Sequence, residues 1–204
     1  MHNPVDLIRI QLELECIGID ANNFLSRIPG ENPDDIARFY VARHAAGYTT
    51  FVRWGLPPKI VRLLRSLPPQ QAFDDTETVK RILYGDSVDK ASVSSFRSYF
   101  FEAPSAKFPD VVRQDEAFII YVEGEPVSRA WSSRSNARAA ELAVETQPAF
   151  RRHGYGHQVT SAWARHQVEQ GKVAFYSHKL ENIASEALAK SLGVIQFVDG
   201  MNYE

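Results

Sequence analysis

The stretch from Thr146 to Gly156, reading Thr-Gln-Pro-Ala-Phe-Arg-Arg-His-Gly-Tyr-Gly, constrains this chain more than any other. It follows a strand-like run, Glu141 to Thr146, and precedes a helix-like run that begins near Gly154. A strand that turns through glycines into a helix exposes several backbone N–H groups at the positive end of the helix dipole, a ready site for phosphate. Arg151, Arg152 and His153 bring charge to the same place. The segment marks the chain as a candidate user of a phosphorylated cofactor.

Two common phosphate loops do not fit. A nucleoside-triphosphate loop needs Gly-x-x-x-x-Gly-Lys followed by Ser or Thr, which is not found here. A dinucleotide fingerprint places a third glycine three residues after Gly156, where Val159 stands. It also wants an acidic residue at the end of the next strand, and that strand ends Tyr176-Ser177-His178. Downstream, Tyr155, Val159, Ala162, Trp163 and His166 recur at a helical period, and Gly171 is placed to stop that helix. Val173 to Tyr176 reads as a short buried strand, and Asn182 to Gly193 as a second helix with its glycine stop.

The pattern Arg151-x-x-Gly154-x-Gly156 resembles the pyrophosphate loop of the GCN5-related N-acetyltransferases (GNAT), and Asn182-x-x-Ser185-x-x-Leu188-x-x-x-Leu192-Gly193 resembles a second block of the same family. Two motifs in order, separated by one strand, are more specific than either alone. The match covers roughly residues 116–204 and looks like a less-characterised branch. It implies an α/β (α+β) fold whose mixed central sheet has a splayed strand pair flanked by helices. It also implies acetyl-coenzyme A as co-substrate, no metal, and an acetyl-coenzyme-A-binding core over residues 116–204 behind an N-terminal region, residues 1–115. The cofactor contacts it implies are Val144, Thr146, Arg151, Arg152, His153, Gly154, Tyr155, Gly156, Asn182 and Ser185. Direct transfer to an amine in a ternary complex is the implied reaction, because no cysteine nucleophile lies near the motif.

The residues also carry plainer roles. A Gly-x-Gly before a helix is often only a turn, and Asn182 suits a helix N-cap whether or not it meets a ligand. His153, His157 and His166 read as surface or core histidines, since their spacing makes no metal motif. Glu141 and Glu145 lie on the strand leading into the loop, share one face by parity, and are the candidate general bases, with Glu141 slightly ahead. Their plainer reading is a pair of solvated carboxylates. One position departs from the family. Many relatives carry a tyrosine four residues before the terminal glycine of the last helix, as the acid for the departing thiolate, and here that position is Ala189. Tyr176 and Tyr203 are substitutes away from the matching position, and Ala189→Tyr is expected to restore the acid. A thiol of pKa near 8.5 also departs acceptably with water alone.

With 204 residues, one large domain or two small ones can bury a core. The net charge of −2 argues against a general nucleic-acid binder. The single Cys16 makes no internal disulfide. No apolar run approaches the ~20 residues of a membrane span and no signal-peptide pattern opens the chain, so a soluble cytoplasmic protein is expected. The acceptor is expected to be a small-molecule or peptide amine, and a homodimer stays open. Two other classes stay open as well: a non-catalytic acyl-coenzyme-A sensor, which Ala189 favours, and an interaction domain built on the aromatic hairpin near Trp54.

Elsewhere the pattern predicts a helix over Val5 to Cys16 and a hairpin of Phe39 to His44 with Tyr48 to Trp54. It predicts a helix from Pro57-Pro58 through Leu64, a loop at Pro68-Pro69-Gln70-Gln71, and a helix capped at Asp74-x-x-Glu77. Strands are expected at Ala117 to Val122 and Val127 to Ser132 around a turn at Glu123-Gly124-Glu125-Pro126, then at Ala139 to Thr146. The closing strand, Val194 to Phe197, and the tail to Tyr203 read as short, so the N-terminal half is expected to complete the sheet or cover the substrate side.

Overall fold

The structure, a computed structural model, describes residues 3–15, 17–27, 36–102 and 107–204, so Cys16 lies outside the described residues. The chain separates into two compact units: Met1–Arg97 with Phe197–Glu204, and Ser98–Gln196. Each is built on strands flanked by helices, and the whole is a mixed α/β protein.

The first unit opens with α1 (Pro4–Leu14), started by Asn3, whose side chain accepts from the Val5 N–H, and by Pro4 in the first turn. Leu7, Ile8, Leu12 and Leu14 form its buried stripe, so the helix expected of this stretch is present. Strands β1 (Ile17–Ile19), β2 (Phe24–Arg27), β3 (Phe39–His44) and β4 (Gly47–Arg53) follow, then α2 (Pro58–Ser66), α3 (Pro69–Asp74), α4 (Thr76–Tyr84) and β5 (Val93–Phe100). The hairpin of β3 and β4 turns through Ala45 and Ala46, with His44 opposite Gly47.

Two local expectations are corrected. Pro68-Pro69-Gln70-Gln71 is no loop: Pro69 opens α3, where a proline in the first turn lacks only a donor the helix would not use. The cap of α4 is Asp75 rather than Asp74, and its carboxylate accepts from the Thr78 N–H at 3.0 Å and from the Thr78 hydroxyl at 2.6 Å. The tail is also longer than expected, since β11 (Ile195–Tyr203) runs nine residues and pairs antiparallel with β3 from Asp199 to Tyr203. On β11, Asp199 is 5% exposed and accepts from Arg43 at 2.8 Å and Arg97 at 2.7 Å.

In the second unit, β6 (Val112–Gln114), β7 (Ala117–Val122), β8 (Glu125–Ser135) and β9 (Ala139–Thr146) form an antiparallel run. The β7–β8 turn is tighter than expected: Glu123 and Gly124 alone make it, both at positive φ, and Pro126 is already in the strand. After β9 come α5 (Tyr155–Glu169), β10 (Val173–Lys179), parallel to β9, and α6 (Ile183–Leu192). Helix α5 packs Val159 and Trp163 inward, both fully buried, and the Trp163 indole N–H donates to the Ser132 hydroxyl at 3.0 Å. A fully buried aliphatic side chain such as Val159 contributes roughly 1.5–3 kcal/mol relative to exposure. This packing fixes the position of the α5 N-terminus against the end of β9. The expected mixed sheet with an antiparallel run through Thr146 and a parallel strand after α5 is therefore present.

Candidate active site

Strands β9 and β10 pair over only three positions: Val173 with Ala139, Ala174 with Ala140 and Phe175 with Glu141. Both strands continue, to Thr146 and to Lys179, with no further register pair among the described residues. The backbone N–H and C=O groups along the inner edges of such a fork are available to a ligand, because a parallel ladder no longer uses them. This is the splayed strand pair.

Alternation places different chemistry on the two faces of the fork. Leu142 and Tyr176 belong to the core cluster beneath α5 and α6, together with Ala140, Ala174, Val159 and Ala189. Glu141 and Ser177 have the opposite parity, and the Ser177 hydroxyl donates to Glu141 Oε1 at 2.6 Å. Glu141 is 7% exposed, so this carboxylate sits in a sheltered place at the point where the strands part. Glu145, on the same face, is different. It is more than half exposed and is engaged by Arg129 Nε at 2.6 Å, whose guanidinium also lies over the Trp131 ring. The two carboxylates are thus separated by environment: one buried at the fork, one in a surface ion pair.

At the end of β9, the Thr146 hydroxyl shares a hydrogen bond with Ser128 Oγ at 2.8 Å, and Val144 packs half-buried against the core. A turn at Pro148–Phe150 leads to Arg151, whose Nε donates to the Thr146 carbonyl at 3.3 Å. Arg152 takes a left-handed conformation (φ 67), as does Gly154 (φ 79), the N-cap of α5. Gly154 gives this helix no side-chain cap and no acidic residue stands in its first turn, so among the described residues its leading N–H groups meet no carboxylate of their own turn. Gly156 lies close to the strand end: a Cβ there would come within 3.3 Å of Thr146 Oγ1. Arg151, Arg152 and His153 are exposed, and the His153 ring stacks on Tyr155 at 5.6 Å. An uncapped helix start, close backbone approach and two exposed guanidiniums fit a pyrophosphate.

Asn182 caps α6, its side-chain oxygen accepting from the Ser185 N–H at 3.0 Å, and Gly193 ends the helix at φ 63. The structural role expected of Asn182 is therefore present, while the Ser185 carbonyl accepts from the Tyr176 hydroxyl at 3.3 Å. Sequence reasoning did not single out Ser177, Tyr99 or His178. The Tyr99 hydroxyl lies 3.3 Å from His178 Nε2, and the Tyr99 ring stacks on both His178 and Tyr176. The signal available for Ser177 was its parity with Glu141 beyond a short parallel ladder. Tyr99 gave none, since it lies on a strand that the pattern did not predict. Among the described residues no group of three His, Cys, Asp or Glu side chains is placed to hold a metal ion, and no helix is long and apolar enough to cross a membrane.

Parallel strands that part beside a buried carboxylate, with an uncapped helix start at the strand end, are the arrangement that the motif resemblance led us to expect. Residues 122–200, the segment that holds the fork, the loop and α6, match the family model described as FR47-like protein. No curated protein matches the chain. Among solved structures it is similar to a GNAT-family protein from Novosphingobium aromaticivorans (14% identity, TM-score 0.47), covering 55% of this chain and 64% of that one, so it spans under two thirds of that protein. It is also similar to a GCN5-related N-acetyltransferase-like protein from Streptococcus suis (14% identity, TM-score 0.45, covering 82% and 84% of the two chains). A third is an acetyltransferase of the GNAT family from Colwellia psychrerythraea (10% identity, TM-score 0.48, covering 92% and 80%).

Proposed function

We propose that this protein is an N-acetyltransferase that moves an acetyl group from acetyl-coenzyme A to a small-molecule or peptide amine by direct transfer in a ternary complex. The observation that carries this reading is the β9–β10 fork, which opens immediately after the buried Glu141 and runs to the uncapped start of α5.

The α5 first-turn N–H groups at Tyr155 and Gly156, with Arg151 and Arg152, would hold the pyrophosphate. The unpaired edge of β9 around Val144 would hold the amide groups of the pantetheine arm. Bound acetyl-coenzyme A supplies an acyl group activated as a thioester. Glu141 accepts the proton that the amine must lose, and Ser177 holds that carboxylate in place through Oε1. Holding the amine against the acyl carbon is the remaining task, and such positioning is worth up to ~7–11 kcal/mol in favourable systems. Glu145, tied to Arg129 at the surface, serves the rim rather than the chemistry.

The test is calorimetry with acetyl-coenzyme A alongside a thiol-release assay over a panel of amines. Wild type is expected to bind and to release thiol with at least one amine class. Gly156→Ala should weaken binding by about tenfold or more, because the new Cβ meets Thr146 Oγ1 and pushes the helix start from its ligand. Arg151→Ala should weaken it by a similar factor through loss of a charge-assisted contact. Wild-type affinity in both variants would contradict this placement of the cofactor.

A further inference from the structure

Acyl transfer needs a proton at each end: one taken from the amine and one given to the departing sulfur. Glu141 serves the first on one face of the fork. The second needs a donor on the other face, beyond the last register pair of β10. Tyr176 and His178 are the two titratable side chains of β10 there. His178 has both ring nitrogens engaged, Nδ1 with the Lys179 carbonyl at 2.9 Å and Nε2 with the Tyr99 hydroxyl. Tyr176 is 3% exposed, stacks on Tyr99 and reaches the Ser185 carbonyl with its hydroxyl at 3.3 Å. Helical Cα–Cβ bonds tilt toward the N-terminus, so a side chain at position 189 projects over the turn of Ser185. Ala189 is small and 2% exposed, and Tyr176 from the neighbouring strand brings its hydroxyl to that same turn within one core cluster.

We propose that Tyr176 is the general acid of the transfer, a strand residue whose phenol fills the space left beside Ala189. The inference rests on the acetyl-coenzyme A reading above. As the carbon–sulfur bond breaks and sulfur keeps the electron pair, Tyr176 gives its phenolic proton to sulfur; it recovers a proton from solvent once the thiol has formed. Burial pushes the Tyr176 phenol above its ordinary value, so it stays protonated and ready to donate throughout the neutral range. Tyr203 does not compete for this role, since it is fully buried in the first unit with its hydroxyl on the Ala72 carbonyl at 3.2 Å. Ala189 is 2% exposed, so in Ala189→Tyr alone, with Tyr176 in place, a second ring is expected to overfill the core.

Tyr176→Phe should bind acetyl-coenzyme A like wild type yet lose about 10²-fold or more in thiol release. Tyr176→Ala should lose at least as much, and the double variant Tyr176→Ala with Ala189→Tyr should recover at least tenfold of that loss, which a merely structural role would not give. A readout without turnover uses protein labelled with ¹³C at the tyrosine Cζ, the Tyr176 signal being the one missing in Tyr176→Phe. Coenzyme A should shift that signal and desulfo-coenzyme A should not. Equal responses to the two ligands, or a Tyr176→Phe protein that binds and turns over like wild type, would overturn the assignment to Tyr176. Failure of wild type to bind acetyl-coenzyme A would instead remove the parent reading.

Discussion

On the proposed function, Glu141→Gln is expected to lower acetyl-coenzyme-A-dependent thiol release by about 10²–10⁴-fold and to leave the calorimetric affinity for acetyl-coenzyme A at the wild-type level. Glutamine keeps the size of the side chain and its ability to accept from the Ser177 hydroxyl, but it cannot take a proton from the amine. The loss therefore falls on turnover rather than on binding. Glu145→Gln removes a carboxylate already paired with Arg129 at the surface, and its effect on turnover should be small by comparison. The wild-type rate is also expected to fall toward acid pH, where the acceptor amine carries the proton that must move. Normal turnover in Glu141→Gln would assign the chemistry to positioning alone.

Asp199→Ala is expected to destabilise the first unit by about 3 kcal/mol near neutral pH, the scale seen when one partner of a buried ion pair is removed. The loss sits at the low end of that range because the two arginines left behind keep solvent access, with side chains 46% and 26% exposed. Burial pushes the Asp199 carboxyl up, but the hydrogen bonds from Arg97 and Arg43 outweigh it and hold the group below the usual carboxylate range. A carboxyl lowered by folding stabilises above its unfolded value, about 4, and that contribution is lost as pH falls through the folded value. Urea titrations of wild type and Asp199→Ala should therefore show a gap that is full at pH 7 and narrows below about pH 4. A pH-independent gap would mean that Asp199 acts through packing rather than charge.

The legibility of the sequence divides along the length scale of the interactions. Elements around the site are specified locally. Gly154 and Gly193 sit at positive φ where helix termini need them, Asn182 caps its own helix, and Val159 and Trp163 fall on one stripe. All of that is readable from spacing. Strand β5 was not readable, because Val93-Ser94-Ser95-Phe96-Arg97-Ser98 alternates only loosely and its place depends on distant partners such as Asp199. The helix at Pro69 was hidden by a proline pair that reads equally as loop or helix start. Within the site, parity gave Glu141 and Glu145 one face, but only the structure separates a carboxylate sheltered at the fork from one held by Arg129. That distinction arises from where a parallel ladder stops, which no local pattern encodes. The same holds for Tyr176, whose role depends on the small side chain thirteen residues downstream at Ala189 and on the shared core between them.

Hydrogen–deuterium exchange of the full chain with and without saturating acetyl-coenzyme A tests the central claim most directly, because it locates the ligand without assuming a reaction. The fork and helix start predict slower exchange in residues 142–156, where β9 edge amides and the first-turn amides of α5 gain acceptors, together with residues 182–185 at the start of α6. Segments such as α2 and α4 should exchange unchanged. Protection confined to other segments, or unaltered exchange at residues 142–156 in a protein shown to bind the ligand, would contradict the account.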